Sequence, residues 1–259
     1  MKIKKCTYMD IERKLRKYLS TNKVTVDSFW EDHVLKSIYY GIYDEDELIG
    51  YFAVTDENIL TLFYLDETYS QYSQEFFEKA KKYEQVTEAL IPTSDEFFLS
   101  HALDNYIEIK KQAYFFKYSE RLYESASYII NIRELDIKKE TDLEIIKKSE
   151  GFLDDELENL KKGSTHLKMY AAFDNNEVVG FGITENGRIT KENVSVGMYV
   201  CKSFRKKGYG SSILKSLGTM IVKQDKKPIS GCWYYNHNSK KTIERAGGFT
   251  KTRLLRIYF

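Results

Sequence analysis

The sequence predicts an α/β protein built from two tandem copies of one fold, and three observations predict it. Val194, Val196, Met198 and Val200 alternate with Ser195, Gly197, Tyr199 and Cys201, the period of a strand, and Tyr209, Ile213, Leu217 and Ile221 then recur at helical spacing. A strand therefore passes through a short turn straight into a helix. Second, Tyr40-Gly-Ile-Tyr-Asp-Glu-Asp-Glu-Leu-Ile-Gly50-Tyr returns 130 residues later as Tyr170-Ala-Ala-Phe-Asp-Asn-Asn-Glu-Val-Val-Gly180-Phe. That offset is half the chain, the mark of an internal repeat. Third, 259 residues with 42% hydrophobic content, two prolines and 21 tyrosines suit one large domain or two ordinary ones, mostly regular and aromatic inside.

In chain order, residues 8 to 19 place Ile11, Leu15, Tyr18 and Leu19 on one face of a helix. Residues 37 to 43 read as a strand, Asp44-Glu45-Asp46 as its turn and Glu47 to Val54 as the returning strand. Asn58 to Leu65 then stands where the strand ending at Cys201 stands in the second copy, and Phe76, Phe77, Ala80 and Tyr83 share a helix face after it. Val86 to Ile91 is the next strand and Ser94 to Leu103 a helix, with Ser94 as its expected cap. Ile107 to Tyr118 closes the copy as a hairpin-like aromatic segment.

The polar, small stretch Tyr123 to Ala126 is the expected boundary, giving domains 1–125 and 126–259 joined by a short linker. Ile129 to Leu135 opens the second copy as a strand, with helices at Thr141 to Lys148 and Asp154 to Lys162. The recurring hairpin occupies Lys168 to Ile183, and Thr184 to Asn193 is the turn before the key strand. After the helix ending near Lys223, Ile229 to Tyr235 reads as a strand. A helix then runs through Arg245, stops at Ala246-Gly247-Gly248-Phe249, and leads to a last strand, Lys251 to Tyr258.

Charge and cysteine usage narrow the partners. Forty basic against 39 acidic residues give a net charge of +1, which argues against a nucleic-acid field. Cys6, Cys201 and Cys232 lack metal-ligand spacing, so no metal is expected. No apolar run of signal-peptide length follows the first residues, and a cytoplasmic protein without membrane association is the expectation.

The chemistry concentrates at Arg205-Lys206-Lys207-Gly208-Tyr209-Gly210. The first N–H groups of a helix lack intrahelical partners and the dipole there is positive, so an anion belongs at this turn. Gly208 and Gly210 let the main chain approach it, and the three cations can pair with phosphate oxygens. The spacing is neither that of a P-loop nor that of a dinucleotide fingerprint.

It resembles the coenzyme A loop of the GNAT acyltransferase superfamily, Gln/Arg-x-x-Gly-x-Gly/Ala with a Val five residues ahead, filled here by Arg205, Gly208, Gly210 and Val200. A second GNAT signature, an Asn at a strand end followed by a small residue and a Gly-Phe helix stop, is carried by Asn236, Ser239 and Gly248-Phe249, with one extra residue that the second glycine absorbs. The resemblance implies, in each copy, a mixed, mostly antiparallel twisted sheet flanked by helices, with two parallel strands splayed apart. It implies acetyl-CoA as cosubstrate, held by Met198, Val200, Arg205, Lys206, Lys207, Gly208, Tyr209, Gly210, Ser211, Asn236 and Ser239, and direct attack of an amine on the thioester. A free N–H in the splay would polarise the thioester carbonyl.

The pattern departs from the family in two places. Where many GNAT enzymes carry a Tyr seven residues after the Asn, this chain has Ile243, and where some carry a Glu, it has Val194. Tyr235 and His237 are the substitutes by position, with Glu185 and Glu192 as nearby carboxylates. In the first copy the loop position reads Asp66-Glu67-Thr68-Tyr69-Ser70-Gln71, without glycine and with two carboxylates, so that copy is expected to have lost the coenzyme site.

The expected activity is acyl-CoA-dependent N-acyl transfer to a small-molecule or peptide amine, by a monomer or homodimer. Two alternatives stand beside it. One is a non-catalytic coenzyme A sensor. The other is a tandem-GNAT transferase fed by aminoacyl-tRNA, which would call for a basic RNA-binding face.

Overall fold

The computed structural model describes residues 1–83, 85–119 and 130–259, and the expected boundary at Tyr123 to Ala126 and the start of a strand at Ile129 lie outside them. The chain divides into two compact units, Met1–Phe115 with Lys251–Phe259, and Phe116–Thr250. These differ from the contiguous halves 1–125 and 126–259 in two places, the division after Phe115 and the placing of Lys251–Phe259 with the first unit.

The first unit contains β1 (Lys2–Cys6), α1 (Tyr8–Thr21), α2 (Ser28–Leu35), β2 (Ile38–Asp44), β3 (Glu47–Val54) and β4 (Ile59–Leu65). A 3-10 turn (Glu67–Tyr72), α3 (Ser73–Tyr83), β5 (Glu88–Pro92), α4 (Glu96–Ala102) and β6 (Glu108–Tyr118, to Phe115) follow. The last strand, β12 (Gly248–Tyr258), belongs here from Lys251 and pairs antiparallel with β5, Leu255 opposite Ile91. The strand order is β1-β2-β3-β4-β5-β12. Phe52, Phe63, Phe76, Phe77, Phe98 and Ile257 form its core. Two expectations are corrected. Ile107 to Tyr118 is not a hairpin but leads into one 11-residue strand, since nothing in it supplies a turn. The cap of α4 is Asp95, whose carboxylate accepts the Phe98 N–H, rather than Ser94, whose hydroxyl accepts Thr25 N–H.

The second unit contains β7 (Asn131–Glu134), α5 (Glu140–Lys147), α6 (Asp154–Lys161), β8 (Leu167–Asp174), β9 (Glu177–Asn186) and β10 (Asn193–Val200). A 3-10 turn (Lys202–Phe204), α7 (Tyr209–Val222), β11 (Lys227–Trp233) and α8 (His237–Arg245) complete it. The order is β11-β10-β9-β8-β7. Strand β9 continues to Asn186 and β10 opens at Asn193, so the turn expected over Thr184 to Asn193 is shorter by four residues. At the end of α8, Gly247 takes the left-handed conformation at φ 93°, while a side chain at Gly248 would collide with Ile243. The first glycine, not the second, makes the helix stop.

The repeat is physical as well as textual. In both hairpins the ladder bulges at matching places, between Ile42 and Tyr43 and between Ala172 and Phe173. The shared glycine has one reason in both: a Cβ on Gly50 would stand 2.5 Å from the Tyr64 carbonyl oxygen, and one on Gly180 2.4 Å from that of Tyr199. The shared aspartate also has one: Asp44 accepts the Tyr69 hydroxyl at 3.0 Å and Asp174 that of Tyr209 at 2.5 Å. Each copy thus fastens its hairpin turn to the segment after its central strand.

Candidate coenzyme and acceptor site

Strands β10 and β11 pair in parallel only over Asn193–Lys227, Val194–Pro228 and Ser195–Ile229, although β10 continues to Val200 and β11 to Trp233. They part beyond Ser195. The same happens in the first unit, where β4 and β5 pair only at Ile59–Glu88 and Leu60–Ala89.

Three hydrogen bonds fix which main-chain groups face the gap. The Glu192 carbonyl accepts Lys227 N–H, and the Val196 carbonyl accepts the buried Ser230 hydroxyl at 2.9 Å, both toward β11. Cys201 N–H turns the other way, to the Val179 carbonyl on β9. Main-chain groups alternate along a strand, so Met198 and Val200 present theirs to the gap. Ser230 also shares a 2.7 Å hydrogen bond with the Tyr118 hydroxyl, which holds the base of the splay.

The turn follows at once. Gly208 caps α7 at φ 92° and ψ −8°, a left-handed conformation that disfavours any side chain, and nothing lies within 4 Å of where its Cβ would be. Its open face is the approach an anion needs. The Ser212 N–H donates to the Gly208 carbonyl and so opens the helical ladder, and the N–H groups of Gly210 and Ser211 stand ahead of it in the first turn, where an α-helix offers no intrahelical acceptor. Lys202 is paired with Glu150 at 2.5 Å, whereas among the described residues no carboxylate lies within ion-pair distance of Arg205, Lys206 or Lys207.

Several expected coenzyme residues have structural tasks as well. Arg205 folds back, its Nε donating to the Val200 carbonyl at 3.1 Å and its guanidinium 5.5 Å from the Tyr199 ring, so it braces the turn. Tyr209 gives its hydroxyl to Asp174. Gly210 does not widen the turn but is buried: its missing side chain makes room for Met198, Val200 and Thr242. The Ser211 hydroxyl donates to the Gly208 carbonyl, and Asn236 is the N-cap of α8, its Oδ1 accepting Ser239 N–H at 3.0 Å.

Tyr235 and His237 stand exposed beyond the end of β11, the Tyr235 ring 5.1 Å from that of Trp233, itself 59% exposed. Ile243, in place of the tyrosine of many GNAT enzymes, is buried beside Gly248.

Two further residues come into view on the sheet face away from α7. Side chains at Gly180 and Gly182 would meet Ile213 and Leu217 of α7, so Phe181, Ile183 and Glu185 point to the opposite face. Glu185 lies opposite Ser195, where the parallel pairing ends. Its carboxylate is 3.3 Å from His166 Nε2 and 3.6 Å from the Arg188 guanidinium. Nearby Glu156 has one buried carboxylate oxygen with no hydrogen-bond partner among the described residues, and burial, helped by Asp155 and Glu185, pushes its carboxyl up. Counting outward from the Asn175-Asn176 turn, the register that sets Leu167 against Glu185 would have exposed His166. Glu192 is exposed and joins none of these groups. Among the described residues no His, Cys, Asp and Glu are grouped to hold a metal ion, and no helix is long and apolar enough to cross a membrane.

Comparison with known proteins bears on the family and the fold. Residues 7–119 match the acetyltransferase (GNAT) domain and residues 132–249 the acetyltransferase (GNAT) family. No curated protein matches the chain. Among solved structures, an acetyltransferase of the GNAT family from Colwellia psychrerythraea is 20% identical, with 100% of both chains covered and a TM-score of 0.83. A tandem GNAT protein from the clavulanic acid biosynthesis pathway is 7% identical over 99% of this chain and 97% of its own, at 0.65. A GCN5-related N-acetyltransferase from Sphaerobacter thermophilus is 12% identical over 99% and 94%, at 0.62. At these identities the likeness shows the fold.

Proposed function

Since the chain belongs to the GNAT acetyltransferases, with two such domains in tandem, we propose that its second domain transfers an acetyl group from coenzyme A to a primary amine. The observation that carries this is the early parting of β10 and β11, which turns Met198 and Val200 toward a gap headed by the Gly208 turn. The bound cosubstrate supplies an activated thioester. Gly208 and the N–H groups behind it, with Lys206 and Lys207, hold its diphosphate, and Met198 N–H polarises the carbonyl. Arg205 keeps the turn in place.

The amine nitrogen bonds to the carbonyl carbon as the carbon–sulfur bond breaks. The amine must lose a proton and the sulfur must gain one. Glu185, with His166 against it, takes the first, and Tyr235 or His237 supplies the second. The first domain, with Asp66 and Glu67 at its turn, binds no coenzyme A.

Free-thiol release from acetyl-CoA with a panel of amines tests the reading. Release that needs an amine and falls at least tenfold in Glu185→Gln is expected, while thiol release by no amine in a protein that binds coenzyme A rejects it. The buried Ile243 favours a second reading in that event, a coenzyme A sensor without turnover.

A further inference from the structure

The first unit contains a cavity of about 620 Å³ at the place that corresponds to the splay of the second. Tyr64, Leu65 and Asp66 line it where β4 runs out, and α1 and α4 form its flanks. A coenzyme diphosphate does not suit it: the turn has no glycine, and Asp66 and Glu67 are part of the lining. A cleft kept open without its coenzyme turn is a cleft available to another ligand.

Its walls are charged in opposite senses. Lys14 and Lys17, three residues apart on α1, supply cations. Asp66 is already engaged, 2.6 Å from Lys14, so among the described residues the lining charges without an ion-pair partner are Lys17 on one wall and Glu67 and Glu96 from the other elements. Between them is an aromatic surface. The rings of Tyr18 and Tyr64 lie 4.7 Å apart and those of Tyr64 and Phe97 6.1 Å apart. These rings are held from below: the Tyr18 hydroxyl donates to buried Asp95 at 2.5 Å, and Asp95 also caps the helix that carries Phe97. His101 is part of the frame, one ring nitrogen at the Phe97 carbonyl and the other at the Ser73 hydroxyl, both 2.7 Å.

We infer that this cavity is a second small-molecule site, for an α-amino acid or dipeptide with an apolar side chain. The ammonium group meets Glu67 and Glu96, the carboxylate meets Lys17, and the side chain lies against the rings of Tyr18, Tyr64 and Phe97. A simple amine leaves Lys17 unanswered and a simple anion faces two carboxylates, so the pairing selects a molecule with both charges. The site is independent of coenzyme A, and the inference does not rest on the acyl-transfer reading.

Calorimetric titration of the full chain with L-phenylalanine, L-leucine, L-methionine and their glycyl dipeptides tests it, each beside its N-acetyl and amide derivative. Saturable binding of at least one free member is expected, weakened tenfold or more by either cap and by Glu96→Gln or Lys17→Met. Both positions are exposed, so the melting temperature should not move, and a parallel coenzyme A titration of the two variants should be unchanged. The inference is overturned if no free member binds, if the capped forms bind as well, or if the two substitutions leave binding intact.

Discussion

The two glycines of the basic turn look interchangeable in the sequence but should fail for different reasons. A Cβ at Gly210 would lie 2.9 Å from Thr242 Cγ2, 3.3 Å from Met198 Sδ and 3.4 Å from Val200 Cγ2. Non-bonded carbons prefer roughly 3.5–4.0 Å, so Gly210→Ala must push α7 off α8 by about half an ångström. Such overpacking costs about 1–3 kcal/mol, against about 1 kcal/mol gained from alanine's helix propensity. The methyl of Thr242 is the nearest obstacle, and Thr242→Ser removes it while keeping the hydroxyl that donates to the Asn238 carbonyl at 2.8 Å. In a four-protein cycle by urea denaturation, the alanine should therefore be tolerated better by about 1–2 kcal/mol in the serine background. Gly208→Ala is the control. It meets no atom but must hold φ near 92°, at about 1–2 kcal/mol, and Thr242→Ser should not relieve it. A coupling near zero at Gly210, or an equal one at Gly208, would refute the packing argument.

Three further outcomes follow from named contacts. Ser230→Ala removes the hydroxyl between the Val196 carbonyl and Tyr118; the loss should be about 1–3 kcal/mol in chemical denaturation, together with weaker coenzyme A binding. Burial pushes the Asp95 carboxyl up to about 6, only partly offset by its bonds from Tyr18 and Phe98. The folded state thus holds this proton more tightly than the unfolded chain, and the stability it contributes is full below about pH 4 and lost as the pH rises through 6, about 3 kcal/mol in all. Asp95→Asn should remove that slope from the wild-type curve of stability against pH, and an unchanged slope would count against it. Asp142 has the opposite sign, because hydrogen bonds from Arg133 at 2.8 and 3.0 Å, then from Asp136 N–H, lower its pKa. Its contribution should be present above the ordinary carboxylate range and fade as the pH falls through the lowered value, and Asp142→Asn should abolish that acid limb.

What could be read from the sequence was whatever a period or a repeat encodes. The hairpins, the strand–turn–helix at Val194 to Val222 and the missing glycine at Asp66 to Gln71 all lay in such patterns. Strand β1 escaped because it is an edge strand in which three lysines, two of them adjacent, break the alternation and only Ile3 and Cys6 are partly covered, and α2 because it is eight residues long and buries Glu31 among its apolar groups. The return of Lys251–Phe259 to the first unit has no local signal at all, since neighbours in the chain give no hint of a partner 160 residues away. At the site, spacing named the residue types of the turn but not their surroundings. Gly210 read as an opening and proved to be a packing position, Tyr209 proved to be tied to Asp174, and His166 became visible only when the register of β8 and β9 brought it to Glu185.

A diphosphate should dock at the Gly208 turn and nowhere in the first unit. Calorimetric titration of the full chain with coenzyme A measures this directly. One site per chain is expected, abolished when Lys206→Glu and Lys207→Glu are combined. Two sites, none, or one that survives the double reversal would contradict it.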